Sequence, residues 1–523
     1  MIKKILCLAL GVSLVVTHAF AQVAWIKYDF FNNAGGLNDA FSAIIIEDNE
    51  SSDLQNVVFT TGGNFITRPG YEKLNSTTVG AGVSCAGLKY YEPISGSQFL
   101  VGLFDDNKIY KMDYSVGGSA DGTWDDITGA LAGFNITQNT LSSFAIGEDV
   151  LIIEDGINTT APYVWDGTGN AAALGGSPPN ATMVAYHKNM AFAAGNNTYP
   201  STLYFSDLGD IENWTTGLSG NVSIETNDGS KIRAILPGFN ALYIWKDSSI
   251  WRLSGDDKDT FVLQRMVSDV GTLSQACVKR IGNDFIFIDS QGDIYLYDGA
   301  IKIQLLSAKI TGTLGSANFT RFQYAVAEIY DGDYYLSISD VGSGTHDIVL
   351  VFDTFHLSWT KFTGMNVNAM AILDNGSGED ILAFGDYNGF VYQYPSGFND
   401  AGSGIDAYYT TKQYRFPDMN PLKDWKLLRV FATQKGNYNL TVEMRSDFES
   451  TGTTEDISLA GSGATWGTAI FGVDTYGGEN LIIGRVEVKK EGDFFQLKFY
   501  NENLDEPFEV KGWQMFVEPS DRI

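Results

Sequence analysis

Two acidic turns could do chemistry by virtue of their residue types. They are Asp374-Asn375-Gly376-Ser377-Gly378-Glu379-Asp380 and Ser254-Gly255-Asp256-Asp257-Lys258-Asp259. Each gathers carboxylate and carbonyl oxygens over a few residues, the hard ligands that Ca²⁺ takes. The same composition makes an ordinary solvated hairpin turn, because Gly, Asn and Asp tolerate positive φ, and that is the reading adopted.

Other chemistry-bearing residues are scattered. Ser119-Ala120-Asp121-Gly122-Thr123-Trp124 resembles a sialidase Asp-box but is two residues short, and Trp124 is read as packing. Trp245, Trp251, Tyr295, Tyr297 and Trp359 could stack sugars, yet their alternation on short strands suits a core between sheets. His18, His187, His346 and His356 have no metal-ligand spacing. Of the three cysteines, Cys7 lies in an N-terminal apolar run, and Cys85 and Cys277 are read as buried thiols. The chain has no G-x-S-x-G, Walker loop or H-E-x-x-H. The expectation is therefore no catalytic, cofactor-binding or metal-binding residues, and no enzyme.

The elements that carry these residues are aromatic β-hairpins. Between Lys231 and Gly299 one unit occurs twice: Ala241–Trp245 turns into Ile250–Leu253, and Phe285–Ile288 turns into Ile294–Tyr297. Similar units close near residues 113, 166, 207, 353 and 395. A four-stranded blade repeats at roughly 40–50 residues. Hairpins of this kind cannot bury both faces alone, so neighbours must stack. The fold class is all-β: a β-propeller of about seven blades, with six to eight allowed, followed by a jelly-roll-like C-terminal β-sandwich.

The chain has 523 residues, 44% hydrophobic and 19% charged, which is a globular composition. Its net charge of −29 is spread along the length. That disfavours an overall grip on phosphate backbones, which needs Lys and Arg, and it favours solubility.

Four segments are expected. Residues 1–21 read as a signal-peptide-like leader: Lys3 and Lys4, an apolar run, then Ala19-Phe20-Ala21. The run is too short for a membrane span. Residues 22–75 read as an extended arm leading into the first blade, with a turn at Arg68-Pro69-Gly70-Tyr71. Residues 76–400 form the propeller, with a short helix expected in 307–321. Residues 405–523 form the sandwich.

Several stretches together resemble one family. Gly35-Gly36-Leu37-Asn38, Asp53-Leu54-Gln55-Asn56-Val57 and Thr67-Arg68-Pro69-Gly70-Tyr71 resemble the opening of tailed-phage tail nozzle proteins, also called tail tubular protein B or packaged-DNA stabilisation protein. Ile250-Trp251-Arg252-Leu253-Ser254-Gly255 and Val351-Phe352-Asp353 resemble its middle; Phe494-Phe495-Gln496-Leu497 and Phe508-Glu509-Val510-Lys511-Gly512 resemble its end. The resemblance implies a structural virion component: a homo-oligomeric ring beside portal, adaptor and other tail proteins. DNA would pass through its lumen without specific binding, eased by carboxylates that repel phosphate. The alternative is an exported bacterial β-propeller that binds glycan or a protein partner, which the leader favours.

Overall fold

The computed structural model describes residues 25–519, apart from 81, 116–118, 132, 375–379, 417–421 and 461–480. The leader lies outside the described residues, as do most of the turn at 374–380 and His18.

Residues 85–394 form the propeller. Its seven sheets lie at 85–126, 143–173, 183–223, 232–268, 279–305, 326–362 and 369–394. Six are built from four strands; the first adds the short strand Asp125–Asp126. Within each sheet the strands run antiparallel, and hairpins join neighbours. The hairpins legible in the sequence are the second and third strands of each blade, such as Ala241–Lys246 with Ser249–Ser254. Those strands are buried on both faces by adjoining blades, so they are the most apolar and most visible.

The first strands of neighbouring blades pack on one another around the axis, except that blade four's meets the 3₁₀ turn Gln275–Cys277 ahead of blade five's, and Cys85–Tyr91 of the first blade packs on Ala369–Asp374 of the last. The wheel is closed. Its seventh blade takes its outer strand from far away in sequence: Glu72–Lys73 pairs with Val391–Tyr394.

That strand corrects the reading of 22–75 as an arm leading into the first blade. Glu72–Lys73 belongs to the last blade, and the residues before it belong to the sandwich. Ile26–Phe30 pairs with Glu509–Pro519, Glu50–Gln55 with Ala407–Thr411, and Phe65–Thr67 with Glu509–Val510. The sandwich is thus built from 26–67 and 405–519 in two six-stranded sheets. Its faces meet through aromatic rings, Phe65 on Tyr409 at 4.3 Å, Trp425 on Phe495 at 4.6 Å and Phe499 on Trp513 at 5.2 Å. The arm shows weak alternation because many inward groups are polar: Asn33, Asn38, Glu50, Ser51, Asn56 and Arg68 are all buried.

One apolar core runs from blades five and six into the sandwich, including Ile286, Leu336, Leu350 and Trp359 together with Val430, Leu497 and Trp513. The expected helix in 307–321 is a single α-turn, Thr311–Gly315, flanked by 3₁₀ turns. Asp39 of the sandwich segment caps it, accepting from the Gly312 and Thr313 amides at 2.8 and 2.7 Å.

Candidate functional site

The residues singled out for chemistry resolve mostly into structure. In the turn 254–259, the Lys188 ammonium sits where a cation would: its Nζ donates to Gly255 O at 3.2 Å and to Asp256 Oδ1 at 2.5 Å. Asp257 Oδ1 accepts from the Thr260 amide and hydroxyl. Asp121 likewise accepts from Thr123, and Trp124 packs edge-on to Phe104 at 5.2 Å.

Trp245, Tyr297 and Trp359 are buried, and Trp251 and Tyr295 pack against blade cores. Cys85 and Cys277 are buried free thiols, and burial pushes the Cys277 thiol up to about 12. The described histidines do not converge. His356 pairs locally with Asp353 at 2.6 Å; His346 belongs to the same blade but bonds Ser339 and Tyr324, and His187 lies in the third blade. No group of three or more His, Cys, Asp or Glu among the described residues could hold a metal ion.

The site that emerges is a depression over the propeller axis. Its rim is made by segments that lead into the first strands of blades two to six, and by the loops after the second strands of blades two and three. Asn135, Asn139, Thr182, Lys231 and Tyr324 come from the former; Gly156, Asn196 and Asn197 come from the latter. The mouth encloses about 410 Å³. Asn135, Asn197 and Lys231 are exposed, and Tyr324 is half-buried. Tyr199 stands beside Asn197 and is 60% exposed.

The rim is held from below. Arg321 Nε donates to Ser339 Oγ at 3.0 Å, and Arg321 Nη1 donates to Asn139 Oδ1 at 2.9 Å. His346 Nε2 lies 2.9 Å from the Tyr324 carbonyl, which can only accept, so that nitrogen carries the proton. Nδ1 then accepts from the Ser339 hydroxyl at 2.8 Å. Burial draws His346 down to about 4, so the ring is neutral and this tautomer is fixed. Asn158 Oδ1 accepts from the Asn197 amide at 2.9 Å, and Asn158 Nδ2 donates to Gly195 O at 3.0 Å.

Beneath the mouth lies the axial channel, a cavity of about 300 Å³ lined by the first strands of six blades. Leu141 and Gln275 line both spaces, so the mouth and the channel adjoin. Charged residues on the channel wall are Lys89, Lys279 and Glu328, the last two paired at 2.8 Å.

None of these rim or channel residues stood out in the sequence. They lie in short polar connections with no shared motif, and only closure of the wheel brings them together.

No helix among the described residues is long and apolar enough to cross a membrane. No family model matches the chain, and no curated protein does. Solved structures similar to it include the N-terminal domain of Nup159, at 12% identity and TM-score 0.40, covering 66% of this chain and 98% of that one. YCF48 bound to D1 peptide is similar at 11% identity and TM-score 0.40, covering 63% and 99%. PorZ of Porphyromonas gingivalis is similar at 13% identity and TM-score 0.38, covering 67% of this chain and 44% of PorZ. The chain is a seven-bladed β-propeller interlocked with a β-sandwich.

Proposed function

We propose that the protein is an exported, non-catalytic binding module whose propeller mouth takes a neutral glycan. One observation carries this reading: the amides of Asn135 and Asn197 stand exposed beside the half-buried Tyr324 on a rim fixed by a buried hydrogen-bond layer. Sugars present hydroxyls to such amides and flat C–H faces to such rings, and preorganised donors keep the ordering cost of binding low. Titration of the full chain with neutral hexasaccharides, followed by calorimetry, tests it. Binding that Asn197→Ala and Tyr324→Ala each weaken about tenfold supports the reading. Saccharide binding that both variants leave intact, or none at all, overturns it.

The second reading is a ring-forming structural subunit of a phage tail, seated by portal, adaptor and tail proteins, with DNA passing through the ring. The observation that favours it is the build itself, in which the N-terminal segment laces sandwich and propeller into one core suited to an architectural part. Light scattering separates the two: a closed multimer supports the ring, and a monomer at micromolar concentration removes it.

A further inference from the structure

The channel under the mouth holds a cation that the protein leaves uncompensated. Lys89 lies on the innermost strand Cys85–Tyr91 and lines the channel. Among the described residues it makes no ion pair. The nearest charges acting on it are Glu328, which favours its ammonium form, and Lys279, which opposes it. Glu328 is already engaged by Lys279 at 2.8 Å.

The wall therefore carries two cations and one anion, in a chain of net charge −29. The Ser142 hydroxyl, buried in the same wall, has no protein partner. A second unmatched cation, Arg321, lies under the rim. It is 8% exposed, and its partners are a hydroxyl and an amide, with no carboxylate among the described residues.

Burial without a counter-ion pulls the Lys89 ammonium below its usual range. A half-buried lysine that is partly desolvated, with its neighbouring carboxylate engaged elsewhere, is a ready partner for an anion that enters the channel.

We propose that the axial channel is a binding site for a single carboxylate group, with the Lys89 ammonium as its ion-pair partner and the Ser142 hydroxyl as a donor. The local surplus of one positive charge matches a monoanion; a phosphate dianion would leave a net negative charge in a low-dielectric channel. Access is through the mouth, and the site does not require that the mouth itself bind a sugar. The carboxylate is that of a free small acid or of an acidic sugar reaching down from the rim.

The full chain, dialysed free of small organic anions, is titrated with sodium acetate, sodium glucuronate, glucose and inorganic phosphate. Thermal melting and calorimetry are the readouts. Acetate and glucuronate are expected to raise the melting temperature, while glucose and phosphate leave it unchanged at equal ionic strength. Glucuronate binding tenfold or more tighter than acetate identifies an acidic sugar; equal affinity identifies a free acid. Lys89→Met is expected to lose the response to both carboxylates, and Lys89→Arg to retain part of it.

Ser142→Ala provides a reading independent of folding at position 89, with an expected severalfold weakening. Asn197→Ala leaves acetate binding unchanged, so failure at the mouth and failure in the channel read separately. Absence of carboxylate binding in the native protein, an unchanged response in Lys89→Met, or preference for phosphate each overturns the proposal.

Discussion

Two cations, Arg68 buried at the junction and Lys89 half-buried in the channel, are treated in opposite ways. Arg68 is 0% exposed, and its guanidinium is saturated. Nη1 and Nη2 meet the Asp400 carboxylate at 2.8 and 2.7 Å, Nε meets Asn56 Oδ1 at 2.9 Å, and Thr363 O and Pro69 O take two further bonds. The partners lie in three parts of the fold: Asn56 and Pro69 in the sandwich segment, Thr363 at the sixth blade's exit, and Asp400 in the connection leading out of the propeller. Lys89 has no such shell. A saturated buried charge fixes geometry, because every alternative arrangement loses several bonds at once. An unsaturated one holds little in place and is free to meet something else.

The sharpest break in that comparison comes from removing Arg68. Arg68→Met leaves Asp400 buried without its partner, and the expected loss is about 3–5 kcal/mol of unfolding free energy. Pairing it with Asp400→Leu is expected to restore most of that, since replacing a whole buried pair by apolar groups is often near neutral. Urea unfolding of the single and double variants checks both. A single variant as stable as the native chain would show that the pair does not clamp the junction.

The adjoining glycine gives the next effect. A Cβ on Gly70 would lie 2.0 Å from the Asn399 carbonyl oxygen, so one of the two backbones must move. Gly70→Ala is expected to cost about 1–3 kcal/mol, the usual range for forced overpacking, measured in the same denaturant series.

Arg68-Pro69-Gly70-Tyr71 shows what a sequence can and cannot reveal. Its turn chemistry is local and was legible. Its role as the clamp depends on Asn56, Thr363 and Asp400, up to 332 residues away, and nothing local records those distances. The blades were legible for the converse reason. Their second and third strands are consecutive, apolar and joined by short turns, so a local repeat carries the architecture. Strands that complete a sheet from a distance, such as Glu72–Lys73, leave no periodic trace in two residues. The mouth and channel were hidden for the same reason, being assembled from short segments of six or fewer blades that are far apart in sequence.

Two buried titrating groups sharpen the comparison through pH. Glu154 is 0% exposed, and neither carboxylate oxygen has a hydrogen-bond partner; burial pushes its carboxyl well above the ordinary 4.5, with Asp155 adding to the shift. The folded state then holds a proton that the unfolded chain releases, so this group lowers stability as pH rises from about 4.5 toward its folded value. His346 acts oppositely. Its ring is drawn from 6.5 to about 4, so the unfolded chain binds more protons in that window and stability rises with pH. Between pH 4.5 and 6.5 the two slopes oppose each other. Glu154→Met is expected to steepen the rise of unfolding free energy with pH across that interval, by up to about 1.4 kcal/mol per pH unit for one proton, as read from urea unfolding at each pH. An unchanged profile would place the Glu154 carboxyl in contact with water.

The smallest expected effect belongs to Lys89, and its smallness is the point. In buffer free of carboxylates, Lys89→Met removes no ion pair and no hydrogen bond to another described residue. It removes a cost, the desolvation of an ammonium or the loss of its proton. Stability is therefore expected to stay within about 1 kcal/mol of native, or to rise, where Arg68→Met falls steeply. Lost packing of the four-carbon stem is limited because Met fills much of the same space. If Lys89→Met instead loses as much stability as Arg68→Met, the channel lysine is a structural clamp like its counterpart at the junction. If it does not, the channel carries a half-buried charge that folding does not need and that is free to meet what enters the channel.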